Sequence, residues 1–240
     1  RGWVRPGTKA ALVLVGRRVA LLEETSAACE AADGGGGGGG VDILCHPADL
    51  TDEKQVRGLF DAIKSAFGRV DITFNNAGTN IGSTNFGDLT LQDWNRVLDT
   101  NLTAAFLVAQ ASFSQMASQS PQGGRIINNG SISADRPRPG SAPYTTSKHA
   151  MTGLTKSISL DGRGFGIACG QIDYGNVESA MSAKQTGAGA PQADGTIRVE
   201  PKMGAREAAD AVLYMASLPL SANVLSMTVM ATNMPLVGRG

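Results

Sequence analysis

Short apolar runs bounded by Gly, Asp or Asn recur along the chain, and amphipathic stretches separate them. Ala11–Val15, Val41–Cys45, Asp71–Asn75, Arg125–Asn129 and Gly166–Gly170 are such runs, and a sixth spans Val224–Ala231. Each is too short for a helix, so each predicts a strand, buried on both faces where the run is unbroken. Between them, residues 18–32, 52–67, 91–118, 142–162 and 205–218 repeat apolar side chains at helical spacing. Strand and helix alternate, which predicts an α/β fold: a doubly wound parallel sheet with helical crossovers.

Two segments interrupt the pattern. Gly34–Gly40 is an unbroken run of seven glycines. A phosphate-binding loop follows a strand and opens a helix. This run follows a helical stretch and precedes a strand, so it reads as a flexible connector. Residues 180–200, with a Gly- and Ala-rich stretch from Thr186 to Thr196, read as a mobile loop placed to cover a substrate.

At 240 residues and 42% hydrophobic content the chain is long enough for one domain, taken as 1–240. Lys+Arg and Asp+Glu both number 21, so no net field draws it to nucleic acid or an anionic membrane. A small-molecule partner is favoured. Cys29, Cys45 and Cys169 cannot all pair with one another and lack C-x-x-C spacing, which points to a reducing compartment. No apolar run reaches the ~20 residues of a membrane span. The reading is a soluble, cytoplasmic protein. His46 and His149 have no partner at metal-ligand spacing, so no metal is expected.

The chemistry concentrates in a few positions. Tyr144 and Lys148 are four apart in a predicted helix and project from one face, about one turn (~6 Å) apart. A tyrosine titrates near pH ~10, and an ammonium within ~4 to 6 Å favours the phenolate. On that basis Tyr144 becomes a general acid/base at neutral pH. Ser131, thirteen residues earlier, ends the strand of Gly124–Ser133, at the sheet edge where ligands bind. Its hydroxyl can donate to a carbonyl oxygen as negative charge develops there. Asn75-Asn76-Ala77-Gly78 follows another strand and offers small residues through which a ring and ribose can approach the backbone. Asn101, in Asp99-Thr-Asn-Leu102, is a poor helix former inside a long helix. If buried, its amide must be satisfied by kinking the helix or by holding water.

N-N-A-G, the helical N-L, the strand-end serine and Y-x-x-x-K, in this order and at these spacings, resemble the short-chain dehydrogenase/reductase family. The resemblance runs from about Ala11 to the C-terminus. It implies a Rossmann-like fold and hydride transfer between a nicotinamide cofactor and a carbonyl or alcohol substrate. It implies Tyr144 as acid/base, Lys148 as its tuner and as a ligand of the nicotinamide ribose, Ser131 as the group polarising the substrate, and Asn101 as part of the proton relay. Asp49 and Leu50 match the adenine-contacting pair, and Asn75, Ala77 and Gly78 line the cofactor. Gly175–Ser179 resembles the segment holding the nicotinamide carboxamide, with Val177 and Ser179 as contacts, although Tyr174 replaces the usual proline and Ser179 the usual threonine. A homodimer or homotetramer through residues 91–118 and 142–162 is also implied.

Gly16-Arg17-Arg18 ends a strand where an acidic residue would accept from the ribose hydroxyls of NAD. Arg17 and Arg18 instead suit a 2′-phosphate, so NADP is preferred over NAD. The alternative is two solvated arginines, unfavourably placed at a helix N-terminus.

The chain begins at Arg1, and the family's first strand and glycine-rich loop are expected to be absent. Arg1-Gly-Trp-Val4 resembles the tail of the helix after that loop. Such a chain is expected to bind NADP poorly and to be marginally stable, because the pyrophosphate loses its backbone cradle and two strands lose a neighbour. The alternative to an active enzyme is a non-catalytic subunit of the same fold or an incomplete reading frame. Organellar import stays open for the same reason.

Overall fold

The computed structural model describes residues 10–32, 41–179 and 189–237. Strand β1 (Ala11–Gly16) pairs in parallel with β2 (Asp42–Pro47), register Ala11 to Asp42, and helix α1 (Val19–Ala32) crosses between them. Helix α2 (Glu53–Phe67) starts where the Asp52 carboxylate accepts from the Lys54 and Gln55 N–H groups. It stops at Gly68, whose φ of 74° suits a residue without Cβ.

A second parallel sheet has the order β3–β4–β5–β8. Its strands are β3 (Ile72–Asn75), β4 (Gly124–Asn129), β5 (Ile167–Tyr174) and β8 (Ser226–Val229). Neighbouring residues of β4 serve opposite faces, as the period of two requires. Ile126 packs with Ala109, Met116, Ile167 and Cys169, under α4 (Ala104–Ser118). Ile127 packs with Ile172, Val212, Met215 and Ala216, against α6 (Ala205–Ser217). Helix α5 (Ala142–Asp161), with Pro143 in its first turn, packs over β5. Helices thus cover both faces, and the α/β, Rossmann-like doubly wound reading holds.

The hydrogen-bonded ladder is in two pieces. Among the described residues, β1 pairs only with β2 and β3 only with β4. The exposures follow from that. Every β1 side chain is apolar or Gly, yet none is fully buried, and Phe74 of β3 is 37% exposed. Helix α2 links the pieces by packing against α4.

Two local readings change. The predicted helix 91–118 is α3 (Leu91–Leu98), a π-helical turn at Asp99–Thr103, and α4. The reason lies in Asn101, described below. In the predicted loop 180–200, residues 189–200 contain a short antiparallel hairpin of β6 (Ala190–Pro191) and β7 (Ile197–Arg198), turning at Gly195 with φ 80°. Residues 180–188, the glycine run and Arg1–Lys9 lie outside the described residues.

Tyr174, standing where the family has proline, lengthens β5. It stands in register with Val229 of β8, and the following Gly175 N–H donates to Val229 O at 2.9 Å. Its hydroxyl donates to Ala208 O at 2.7 Å, and burial pushes its pKa up to about 12.

Candidate active site

The C-terminal ends of β3, β4 and β5 lie side by side, Asn75 opposite Asn128 and Asn129 opposite Ile172. The chain leaving β4 turns at Gly130, where a Cβ would overlap the Asp173 carboxylate, and reaches Ser131. Ser131 caps the short turn Ile132–Ala134, its Oγ accepting from Ser133 N at 3.1 Å. Its own N–H donates to Asp173 Oδ1 at 2.8 Å. The Tyr144 phenol, from the first turn of α5, lies near enough to the Ser131 hydroxyl for that group to lower its pKa. One turn further on, Lys148 Nζ stands 5.5 Å from the centre of the Tyr144 ring and donates to Asn129 O at 2.7 Å. Ser131, Tyr144 and Lys148, all within seventeen residues of one another in sequence, are thus brought together as the spacing predicts.

The electrostatics run against the expectation. Burial, foremost, raises the Tyr144 pKa; the Ser131 hydroxyl lowers it, and the Asp173 charge raises it. The ammonium expected to acidify the phenol is itself weakened, because burial brings Lys148 down to about 8, with Asp173 pulling the other way. The physical cause is common to both. Removing two groups from water penalises each charged form, and an ammonium over a ring face does not offset that.

Asn101 resolves the choice its position posed. Its Oδ1 accepts from Thr79 N at 2.7 Å, and its Nδ2 donates to Thr79 O at 2.9 Å and Ser147 Oγ at 3.1 Å. It is buried, with 1% of its surface accessible. The amide therefore clamps the turn after Gly78 to α5, and the helix accommodates it through the π turn rather than a straight ladder. Ser147 Oγ in turn donates to Tyr144 O at 2.7 Å.

The Asn75 side chain is buried and held within the fold. Its Nδ2 donates to Asn128 Oδ1 at 2.9 Å and Ala105 O at 3.2 Å, inside the core. Asn128 Nδ2 donates to Thr155 Oγ1 at 2.9 Å, and Thr155 Oγ1 to Gln171 Oε1 at 3.4 Å. Gln171 Nε2 donates to Asp173 Oδ1 at 2.7 Å. This chain of polar groups runs beneath the site, and Asp173 at its end was not among the sequence candidates. The signal was present: Gln171 and Asp173 are polar at alternate positions of a buried strand, so both face α5. Burial, foremost, raises the Asp173 pKa, opposed by its hydrogen bonds and by Lys148. Asp173 also lines a cavity of about 350 Å³ with Ser131, Thr152 and Ser226.

Ala77 and Gly78 are exposed. Val177 bridges to Met203, and Ser179 is exposed beyond it. Arg17, Arg18, Asp49 and Leu50 gather apart from these, at the ends of β1 and β2. Arg17 Nη1 is 3.9 Å from Asp49 Oδ2, with side chains 77% and 38% exposed. Thr51 holds the Asp49 carboxylate below its usual range, first through its N–H and then its hydroxyl.

The nicotinamide end fits a dinucleotide. Lys148 carries three donors, and among the described residues only Asn129 O accepts from it, so a ribose diol would find donors ready at the sheet edge.

Residues 7–188 match the family model for short chain dehydrogenases. The chain belongs to the short chain dehydrogenase family, a class of α/β oxidoreductases. Sulfoacetaldehyde reductase 2 of Chromohalobacter salexigens is 29% identical over 224 residues, 92% of this chain and 84% of that one. Further curated relatives match over about half of their own length. L-sorbose reductase from Gluconobacter frateurii, solved with NADPH and L-sorbose, superposes with TM-score 0.78 at 22% identity, covering 95% of this chain and 88% of that one. An NAD+-bound xylitol dehydrogenase gives 0.77 at 23%, covering 92% and 88%. These structural likenesses carry the fold. Since one neighbour holds NADPH and the other NAD+, cofactor choice turns on this chain's own residues. Among the described residues no helix is long and apolar enough to cross a membrane.

Proposed function

We propose that this protein is an NADP-preferring oxidoreductase that interconverts a small carbonyl compound and its alcohol. The bound nicotinamide supplies or accepts the hydride. Tyr144 passes a proton to the oxygen of the nascent alcohol, and Ser131 donates a hydrogen bond to the same oxygen. Lys148 binds the nicotinamide ribose and supplies positive charge beneath Tyr144. Asn101 holds the Thr79 turn and Ser147 in place, which sets the first turns of α5 against the site. Ala77, Gly78, Val177 and Ser179 border the nicotinamide, while Asp49 and Leu50 border the adenine. Arg17 and Arg18, exposed beside Asp49, suit a 2′-phosphate.

The observation that carries this reading is Lys148 Nζ 5.5 Å from the centre of the Tyr144 ring and anchored on Asn129 O, with the Ser131 hydroxyl beside the phenol, at the sheet's C-terminal edge. Replacing Tyr144 by Phe keeps the ring and removes the transferable proton. With a carbonyl substrate found by panel screening against NADPH, Tyr144→Phe should lower kcat at least about a hundredfold, the lower end of what a positioned acid contributes. Its NADPH affinity should stay within a few-fold. A variant that turns over at the parent rate refutes the assignment. Exposed Phe106 of α4 and Leu160 of α5 suit a homo-oligomer pairing through these helices, which light scattering of the purified chain would test.

A further inference from the structure

Glu200 lies just beyond β7, at the end of the segment read from sequence as a mobile loop placed to cover a substrate, and its side chain is only 2% exposed. A buried carboxylate needs donors, and three elements supply them. The Arg138 guanidinium grips it with both terminal nitrogens, Nη1 to Oε1 at 2.9 Å and Nη2 to Oε2. Asn176 Nδ2 donates to Oε2 at 2.9 Å, and Gln192 Nε2 to Oε1 at 3.1 Å.

Each donor belongs to a different part of the site's surround. Asn176 directly follows the Gly175 at the end of β5, in the segment whose Val177 bridges to Met203. Gln192 sits in the β6–β7 turn, where its N–H donates to Thr196 O at 2.8 Å. Arg138 is tied to the start of α5, since Ser141 Oγ donates to Arg138 O at 2.7 Å and Thr145 N to Ser141 O at 2.8 Å. Its loop also meets the Ser83–Thr84 turn, with Thr84 N donating to Gly140 O at 3.1 Å. The hairpin itself has strands of two residues each, too short to stand alone in water.

We infer that Glu200 is a positioning residue for substrate: through Arg138, Asn176 and Gln192 it clips the β6–β7 hairpin against the β5 end and the α5 start, forming one wall of the substrate space. The inference rests on the proposed function only for the word substrate. The clip is a property of the described contacts. A bidentate charged pair supplies orientation as well as energy, which two neutral amides alone do not.

The test uses the full 240-residue chain and the variants Glu200→Ala, Arg138→Ala, their double, and the conservative Glu200→Gln and Arg138→Lys. Tryptic cleavage after exposed Arg198, followed by mass spectrometry, reads whether the hairpin lifts. Steady-state kinetics with the panel carbonyl read what the lifting does. Both Ala variants should cleave at Arg198 at least about tenfold faster, equivalent to ~1.4 kcal/mol of lost closure. They should raise KM about five- to tenfold with kcat within about threefold. Because the two residues act through one another, the double variant should be no worse than either single one. The conservative variants should fall between, and they decide the matter if an Ala variant fails to fold. Unchanged Arg198 cleavage overturns the clip, and so does additivity in the double variant. Faster cleavage with an unchanged KM overturns the substrate role. If the parent chain turns over no carbonyl, the proposed function fails while the cleavage result still decides the clip.

Discussion

Replacing Asp173 by Asn removes one negative charge at constant shape, at the end of the polar chain beneath Ser131. The carboxylate accepts from Ser131 N and Gln171 Nε2 through Oδ1, at 2.8 and 2.7 Å, and from Ser226 Oγ through Oδ2 at 3.5 Å. An amide oxygen can keep the first two contacts, and its nitrogen can donate to Ser226, so the fold should survive. What changes is charge. Lys148 titrates at about 8 because burial lowers it while Asp173 holds it up. Losing the carboxylate therefore moves Lys148 further down. Tyr144 moves the same way, since Asp173 raises it too. Carbonyl reduction needs the charged ammonium and the protonated phenol, so its rate should hold at low pH and fall as pH rises through about 8 in the parent. The variant's alkaline limb should lie at lower pH. For a pair beyond contact distance in a partly wet site, an interaction of ~1 kcal/mol is reasonable. That shifts the limb by roughly 0.7 pH unit and slows the reaction about fivefold on the alkaline side. The assay is NADPH consumption across a pH series at saturating carbonyl. A limb that stays in place or moves to higher pH refutes the electrostatic role of Asp173.

Three further outcomes follow from single sites. Arg125, 2% exposed, donates to Leu218 O, Pro219 O, Ala222 O and Asn223 Oδ1, holding the end of α6 to β4. Arg125→Met should cost about 3 kcal/mol, and ~6 to 12 °C in Tm by thermal circular dichroism; a drop under about 3 °C would show the carbonyls are satisfied otherwise. Replacing Arg17 and Arg18 together by Ala should weaken NADPH binding at least about tenfold relative to NADH, read by nucleotide fluorescence, and an unchanged ratio would remove them from cofactor choice. Asn101→Ala leaves the Thr79 N–H and C=O without their partner, so kcat and Tm should both fall, by roughly 1 to 3 kcal/mol of stability; hydrogen exchange at Thr79 that stays slow would contradict the clamp.

The strands and helices were legible because burial imposes its period on sequence. The runs at 11–15, 41–45, 71–75, 125–129 and 166–170 all became strands, and the helices fell where apolar residues recurred at helical spacing. The triad was legible for a related reason. Tyr144 and Lys148 share a helix face by local geometry, and Ser131 ends the adjoining strand, so only short-range rules were needed.

Other features depend on groups far apart in sequence, and local pattern cannot carry them. Asn75 looked available for a cofactor until Asn128, 53 residues away, took its amide. The π turn at Asp99–Thr103 follows from Asn101 meeting Thr79 and Ser147 across packed elements. Glu200 ended a loop read only as a substrate cover, and only the fold set Arg138, 62 residues earlier, against it. The sign of the Tyr144 shift is the sharpest case. Sequence spacing correctly brought an ammonium to the phenol, but how much water surrounds both is decided by tertiary packing, and burial is the largest cause of both shifts. Sequence alone determined which elements form and which polar side chains reach the sheet edge, because those follow from periodicity; the dielectric around them and their long-range partners came into being only when the chain closed on itself.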